Sequence, residues 1–301
     1  MPRRVDPNQP INLSVDNSPA VAQECLTTGC PRPYPLFAQM SYAEASGSSI
    51  YHGLQVKVDR HFAKGLALLA AYTYSKAIDT NSTFLSTNAN ANIPQNSRNL
   101  AAEKGLSDFD HRHRLSFAYN YDLPFGNAVW RTENHSVNYA ISGWQLSGIV
   151  TAQSGSVFTP IISGNISGAS EEPGDTTDRP DLVGNPIPAQ QTPNQWISVA
   201  AFASPAPLHF GNAGRNILVG PGLFSWDFAM LRDFRLAESK TLEFRFEMFN
   251  LTNRPNFDFP ENDLASPSFG QIFNTVQPLA GLASGGPGDP REIQFGLKFL
   301  W

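Results

Sequence analysis

The sequence predicts an all-β fold of antiparallel strands, and three observations support that prediction. Apolar and polar residues alternate with a period of two in several segments, as they do in strands whose two faces meet different surroundings. These segments are about ten residues long, which suits a tilted strand that crosses a membrane and exceeds most globular strands. The connections between them are alternately short and long, as in transmembrane barrels. We therefore expect an antiparallel transmembrane β-barrel rather than a soluble sheet.

The composition favours a surface that faces something less polar than water. Charged residues make up 16% of the chain, below the roughly 25% of soluble domains, and aromatic residues reach 11%. The mean hydropathy of -0.27 is compatible with a barrel, because only every second residue of a strand would face lipid. A net charge of -5 without a basic run argues against a nucleic-acid partner. No apolar stretch approaches the roughly 20 residues of a membrane-spanning helix.

The clearest predicted strand covers residues 241–250 and has one apolar and one charged face. These faces hold Leu242, Phe244, Phe246 and Met248 on one side, and Glu243, Arg245 and Glu247 on the other. A short polar turn at residues 237–240 connects this strand to residues 223–236, so the two segments predict a β-hairpin. In a barrel the charged face would line the lumen, and Lys298 of the last strand would join it.

The other strands follow the same pattern along the chain. They are predicted at residues 54–59, 66–74, 115–122, 144–151 and 293–301. A second short turn lies at 63–65, an intermediate connection at 124–141, and long connections at 79–110, 155–221 and 254–290. The long loops are rich in Asn, Ser, Pro and Gly, and we expect them to be solvated with some disorder. Residues 1–48 are then a loop or terminal segment, and residues 49–301 form the barrel part.

The first thirty residues bear on export and redox compartment. Met-Pro-Arg-Arg-Val-Asp has no apolar core or cleavage site of a signal peptide, so we expect a fragment of a longer exported chain. Cys25 and Cys30 are the only cysteines, and their spacing in a polar, Pro-rich stretch suits a local disulfide in an oxidising compartment. Two free thiols are the alternative, whereas a zinc site would need further ligands nearby.

Two clusters could carry chemistry, and for both a structural role is the stronger interpretation. Asp108, Asp110, His111 and His113 could bind a metal ion, but Arg112 and Arg114 oppose a cation there. Arg245 lies between the carboxylates of Glu243 and Glu247, which favours an ion network over an acid and base pair. The sequence has no Gly-x-Ser-x-Gly elbow or His-Glu-x-x-His motif. We therefore expect no enzyme activity, cofactor or metal.

Six segments in order resemble the C-terminal barrel of Oar-like TonB-dependent receptors. They are residues 51–79, 110–126, 143–160, 210–236, 242–257 and 291–301, and include DHRHRLSFAYNYDLPFG and LEFRFEMFNLTNRPNF. The resemblance covers nearly everything after residue 50 and implies a location in the Gram-negative outer membrane. It also implies a 22-strand barrel, of which this chain would supply about seven or eight strands, with long extracellular loops. An N-terminal plug and an energy-coupling box for TonB, both typical of that family, would belong to the missing N-terminal region of the parent chain.

The resemblance implies a receptor or transporter that moves a solute across the outer membrane. Its partners would be outer-membrane lipid, the TonB complex and the barrel-assembly machinery, which would read the terminal aromatic residues Phe299 and Trp301. Two alternatives come from other classes of protein. One is a secreted soluble β-sandwich that binds a ligand, and the other is a barrel with an adhesive or structural role.

Overall fold

The computed structural model describes most of the chain and consists mainly of strands. It describes residues 3–9, 30, 32–36, 40, 42–82, 94–126, 129–130, 133–169, 178–276 and 288–301. The strands of these residues are β1 (Arg3–Val5), β2 (Tyr42–Glu44), β3 (Ser49–Ala63), β4 (Leu66–Asp79), β5 (Gly105–Leu106), β6 (His113–Asp122), β7 (Trp144–Gln153), β8 (Val157–Phe158), β9 (Asp181–Leu182), β10 (Phe202–Ala203), β11 (Leu218–Val219), β12 (Leu223–Ala237), β13 (Lys240–Phe249) and β14 (Glu292–Leu300). The helices are α1 (His135–Ile141) and two 3₁₀ turns, Leu100–Glu103 and Val199–Ala201. None of the helices in the described part is long and apolar enough to cross a membrane.

Seven long strands form one antiparallel sheet in the order β3-β4-β6-β7-β12-β13-β14, and the short β5 pairs with the end of β4. Each long strand lies beside the next long strand of the chain, so the sheet is an up-and-down meander. This confirms the predicted strands and the alternation of short and long connections. The long strands lie in a single sheet instead of two packed sheets, which argues against the soluble sandwich. Within the described residues the sheet is open, with β3 and β14 at its edges.

The register between the strands aligns their apolar residues across the whole sheet. Leu146 of β7 lies opposite Tyr121 and Met230. Met230 in turn lies opposite Phe246, which pairs with Phe295 of the last strand. Because side chains alternate between the faces, a shift by one residue would move a whole strand's apolar set to the other face. The aligned residues form an apolar wall, made of Leu54, Val56, Val58, Leu68, Ala70, Tyr72, Leu115, Phe117, Tyr119, Leu146, Gly148, Val150, Trp226, Phe228, Met230, Leu242, Phe244, Phe246, Ile293, Phe295 and Leu297.

Two tight turns set the register of the hairpins at one end of the sheet. Lys64 and Gly65 have φ angles of 54° and 80° and connect Ala63 to Leu66, which pair with each other. Positive φ at both central residues gives a turn whose twist matches that of the flanking strands. The β12–β13 hairpin likewise has two residues between Ala237 and Lys240. Both turns confirm the short connections expected from the sequence.

The described parts of the long loops at the opposite end fold around a hydrophobic core. This core consists of Phe158, Ile197, Ala201, Phe202, Leu218 and Phe269, with Leu182, Trp196 and Leu264 packed against it. The rings of Phe202 and Phe269 meet edge to face with centroids 5.5 Å apart. The expectation of simply solvated loops is therefore wrong for these segments. The prediction failed because the loops are polar on average. Their few apolar residues lie far apart in sequence and come into contact only in the folded chain.

We expect Gly155→Ala to loosen the base of these loops. A Cβ atom at Gly155 would overlap the carbonyl oxygen of Gly220, where the chain leaves β7 and returns towards β12. Forcing the two backbones apart should cost about 1–3 kcal/mol of unfolding free energy. Gly296→Ala is the matched control, because its nearest neighbour would be Arg245 Cβ at an ordinary 3.5 Å. Urea unfolding of both variants checks this, and equal stability would contradict the close approach.

Candidate functional site

The face opposite the apolar wall is polar and carries the charged residues that the sequence singled out. We call it the polar face, and its members include Gln55, Lys57, Asp59, Thr73, Arg114, Asn120, Gln145, Ser147, Thr151, Asp227, Asp233, Glu243, Arg245, Glu247, Gln294 and Lys298. These side chains share a face because each lies at a polar position of its strand's alternation. The register between strands places these polar positions side by side. Each strand's alternation thus provides a polar side, and the pairing of the strands joins these sides into the polar face.

A cleft of about 520 Å³ lies in the polar face and brings together several strands. Ser147, Asp227 and Glu247 are among its lining residues, together with Asp59 near the end of β3. The Asp59 carboxylate lies 3.3 Å from the ammonium of Lys57 and 3.5 Å from the ring of His61. It is thus paired with a cation and lies beside an imidazole. Leu69, Ile149 and Phe249 also line the cleft, so it offers apolar side chains as well as carboxylates to a solute.

Two of the four candidate lumen residues form an ion pair with each other. Arg245 Nε lies 2.6 Å from Glu243 Oε1. Across the strands, Glu243 pairs with Asp233 on one side and with Lys298 on the other. The cation of Arg245 and the cross-strand position of Lys298 place positive charge beside Glu243 and Asp233, whose like charges would otherwise destabilise a directly opposed pair. Glu247 lies one repeat further along β13, opposite Gln294.

A second cleft of about 440 Å³ lies next to this network, towards the end of the sheet that has the tight turns. It is lined by Asp122, Asp233 and Glu243, and by Gln145 among others. The Gln145 amide donates a hydrogen bond of 2.9 Å to Asp122. The two clefts place hydrogen-bonding and charged groups along the polar face, an arrangement suited to binding and passing a polar solute.

The four residues considered as a metal site have separate structural contacts. Asp110 accepts the Ala77 amide at 2.6 Å, and Asp108 accepts the Asn216 side-chain amide at the same distance. His113 Nδ1 lies 2.8 Å from the Tyr72 hydroxyl, on the other face of the sheet. His111 lies beside Ser154 and Gln153. Among the described residues, no group of three or more His, Cys, Asp or Glu side chains could hold a metal ion.

A buried ion network holds the long loops together above the sheet. Arg215 of the β10–β11 loop forms an ion pair with Asp79 at the end of β4, and its Nε donates to the Glu103 carbonyl at 3.0 Å. Glu103 pairs with Arg179 in turn. Their side chains are all at most 7% exposed, so each charge depends on its partner. The sequence reasoning missed this network, since its two ion pairs join residues 76 and 136 positions apart and no local pattern marks them.

Gln95 connects the N-terminal segment to this network. Its backbone amide donates to Glu103 at 3.2 Å, and its carbonyl accepts the side-chain amide of Gln9 at 2.9 Å. Arg98 donates to the Gln9 carbonyl. Burial lowers the pKa of the Arg98 guanidinium, and the nearby Asp6 carboxylate opposes this shift. Gln9 of the N-terminal segment is thus bound to the loop that follows β4.

The remaining predicted residues lie at the two ends of the chain. Cys30 is disulfide-bonded and packs against Gly168, whereas Cys25 lies outside the described residues. Phe299 lies on the same face as the apolar wall, opposite Leu242, and its ring stacks on Trp301 with centroids 6.0 Å apart. Trp301 follows the last strand and is exposed. The terminal aromatic pair therefore continues the apolar wall at the end of the sheet with the tight turns.

Comparison with known proteins agrees with this architecture. A family model described as Outer membrane beta barrel domain matches residues 1–294. The search of curated proteins and the search of solved structures gave no match. An apolar wall facing lipid, a polar face opposite and alternating short and long connections are the features that such barrels share. This chain belongs to the outer membrane beta barrel domain family, and its place is the outer membrane.

Proposed function

We propose that the chain is part of the barrel of a TonB-dependent outer-membrane receptor that moves a solute across the membrane. The observation that carries the proposal is the register, which gives one predominantly apolar wall and one polar face with two clefts. The resemblance of six segments to Oar-like receptors adds the type of transporter. We expect no catalytic role, because the polar face offers binding groups held in ion pairs and hydrogen bonds.

The seven long strands would then form one part of a larger barrel. An open edge in lipid costs several kcal/mol for each unsatisfied backbone group, so the edges at β3 and β14 need partner strands. In the proposed receptor those strands, the plug and the energy-coupling box come from the parent chain. The folded loops would meet the solute first, and the polar face would line its path.

Uptake by cells of the source organism tests this function. Deleting the gene in its native reading frame should abolish uptake of at least one large solute, and loss of TonB should have the same effect. Sequencing the DNA upstream of codon 1 should show an open reading frame that encodes further strands and a plug. Unchanged uptake with loss of cell attachment would favour the adhesive role, for which the exposed apolar loop residues Val183, Ile187 and Phe273 are the supporting observation. A stop codon and ribosome-binding site immediately before Met1 would contradict the receptor.

Removing the terminal aromatic residues should impair assembly. The barrel-assembly machinery would read an aromatic residue at the end of the last strand, so Phe299→Ala with Trp301→Ala should lower the amount of folded protein severalfold. Leu300→Ala is the matched control, since Leu300 lies between them in sequence and on the opposite face of the sheet. Folded protein is measured in isolated outer membranes by its altered gel mobility before and after heating. An equal loss in both variants would argue against specific recognition.

A further inference from the structure

The connection between β6 and β7 differs from the two tight turns at the same end of the sheet. The described residues of this connection, 123–126, 129–130 and 133–143, include α1, and we call them the rim segment. The Asn134 side chain caps the start of this helix by accepting the amides of Ser136 and Val137 at 3.0 and 3.2 Å. Gly126 packs against Asn138, so the preceding turn and the helix form one unit. In outer-membrane barrels this end is the periplasmic one.

The rim segment lies against the apolar side of the sheet. The ring of Tyr139 in α1 is 6.4 Å from that of Phe234, and its hydroxyl lies 3.3 Å from the Arg235 carbonyl that it donates to. Phe234 pairs with Leu242 and therefore belongs to the same face as the apolar wall. The indole of Trp144 donates to the carbonyl of Ala140 at 3.1 Å. The helix thus covers the lower edge of the lipid-facing side and not the mouth of the lumen.

Arg232 holds the rim segment in this position. It occupies the apolar phase of β12, yet it is only 4% exposed. Its guanidinium donates to the carbonyl oxygens of Tyr139 and Ala140 in the last turn of α1. These carbonyls have no partner within a helix, and a cation at this end is favourable. The guanidinium also lies 4.2 Å from the ring centroid of Phe234, which adds a cation–π contact.

The outer surface of the rim segment combines apolar and aromatic side chains with the exposed polar residues Glu133, Asn134, His135 and Ser136. Val137 and Tyr139 of α1 are 42% and 45% exposed, and Trp130 is 73% exposed. The Trp130 indole stacks on Phe125 with centroids 4.8 Å apart and an interplanar angle of 7°. The helix itself carries no Asp, Glu, Lys or Arg. Tyr and Trp with an apolar body and a polar edge are enriched at the level of the lipid headgroups. This surface continues the apolar wall, which is the membrane contact of the family.

We propose that the rim segment is a membrane anchor that lies in the headgroup region of the periplasmic leaflet. Val137, Tyr139 and Trp130 contact phospholipid, and Arg232 is the positioning residue that holds the segment on the barrel. The anchor explains why an arginine interrupts the apolar series of β12: helix carbonyls and aromatic rings shield its charge from lipid. It rests on the membrane location of the family and is independent of the transported solute.

A bimane label on Val137→Cys tests the depth of the rim segment, with the native disulfide left intact. The protein is reconstituted into phosphatidylethanolamine and phosphatidylglycerol vesicles, with nitroxide either on the lipid headgroup or free in water. Headgroup nitroxide should quench this label roughly threefold more than water-soluble nitroxide does. The control label, on Ser239→Cys in the tight β12–β13 turn, should show the opposite preference. Equal aqueous quenching at both positions would overturn the anchor.

Variants of Arg232 test its positioning role in the same assay. Arg232→Leu should shift the Val137 label towards aqueous quenching, because the helix carbonyls lose their donors. Arg232→Lys keeps the charge and part of the hydrogen bonding, and should restore headgroup quenching in part. The Ser239 label should not respond to either variant. An Arg232→Leu protein that keeps full headgroup quenching would show that the segment needs no such residue.

Discussion

Met230→Arg is expected to destabilise the membrane-embedded sheet by about 2–4 kcal/mol, the cost of a cation on the lipid face near the middle of a barrel strand. Met230 is the central residue of β12 and pairs with Leu146 and Phe246 within the apolar wall. The cross-strand neighbours of Met230 offer an arginine no side-chain acceptor, whereas Arg232 donates to two carbonyls of α1. Urea unfolding in phospholipid vesicles, followed by tryptophan fluorescence, measures the loss.

Ala229→Arg is the matched control for this substitution. Ala229 is the preceding residue and lies on the polar face, between Ser147 and Glu247. The new guanidinium would face water and the Glu247 carboxylate, so the free energy of unfolding should change by less than about 1 kcal/mol. Equal destabilisation by both variants would mean that the two faces have similar surroundings. That result would contradict the assignment of the apolar wall to lipid.

Arg215→Met should open the loops above the sheet. It leaves Asp79 buried without its cation, and breaking a buried pair in this way costs about 3–5 kcal/mol. The carbonyl of Glu103 and the hydroxyl of Ser82 lose donors as well. The population of open loops should rise by roughly two to four orders of magnitude, and cleavage between residues 178 and 222 should accelerate in proportion. Limited proteolysis of the protein in vesicles measures that rate.

Arg245→Met is the comparison for a solvated ion pair. Arg245 is about half exposed where it meets Glu243, so its loss should cost no more than about 1 kcal/mol and leave the loops resistant to protease. A further variant, Asp79→Asn with Arg215→Met, should recover part of the stability, because no charge is then left buried alone. If the protease cleaved the Arg215→Met variant no faster than the Arg245→Met variant, the buried ion network would not be what holds the loops closed.

The polar face shows how much of a site can be read from sequence. The charged residues of β13 alternate strictly with apolar ones, so their common face follows from the two-residue period of a strand. That Lys298 and Asp233 flank Glu243 depends on pairing between strands, which only the tight turn and the hydrogen-bonded register decide. Arg232 could have been noticed in the sequence, because it occupies a position where the alternation of β12 predicts an apolar residue.

The sequence gives little indication of the loop network or of the rim segment. Arg215 and Asp79 are separated by 136 positions, and their carbonyl and carboxylate contacts arise only when two long loops pack together. The helix α1 has seven residues, too short to be stable by local propensity, and depends on the guanidinium of a residue more than ninety positions away. Such contacts have no periodicity that a sequence pattern could reveal.

The sequence alone therefore determined the strands, their two faces and the membrane-spanning character of the chain, because alternation and connection length are local properties. The tertiary structure decided three further features. These are the register that aligns the apolar wall, the core and ion pairs of the loops, and the position of the rim segment on the outer surface. These depend on contacts between distant residues, whose free energy no local segment encodes.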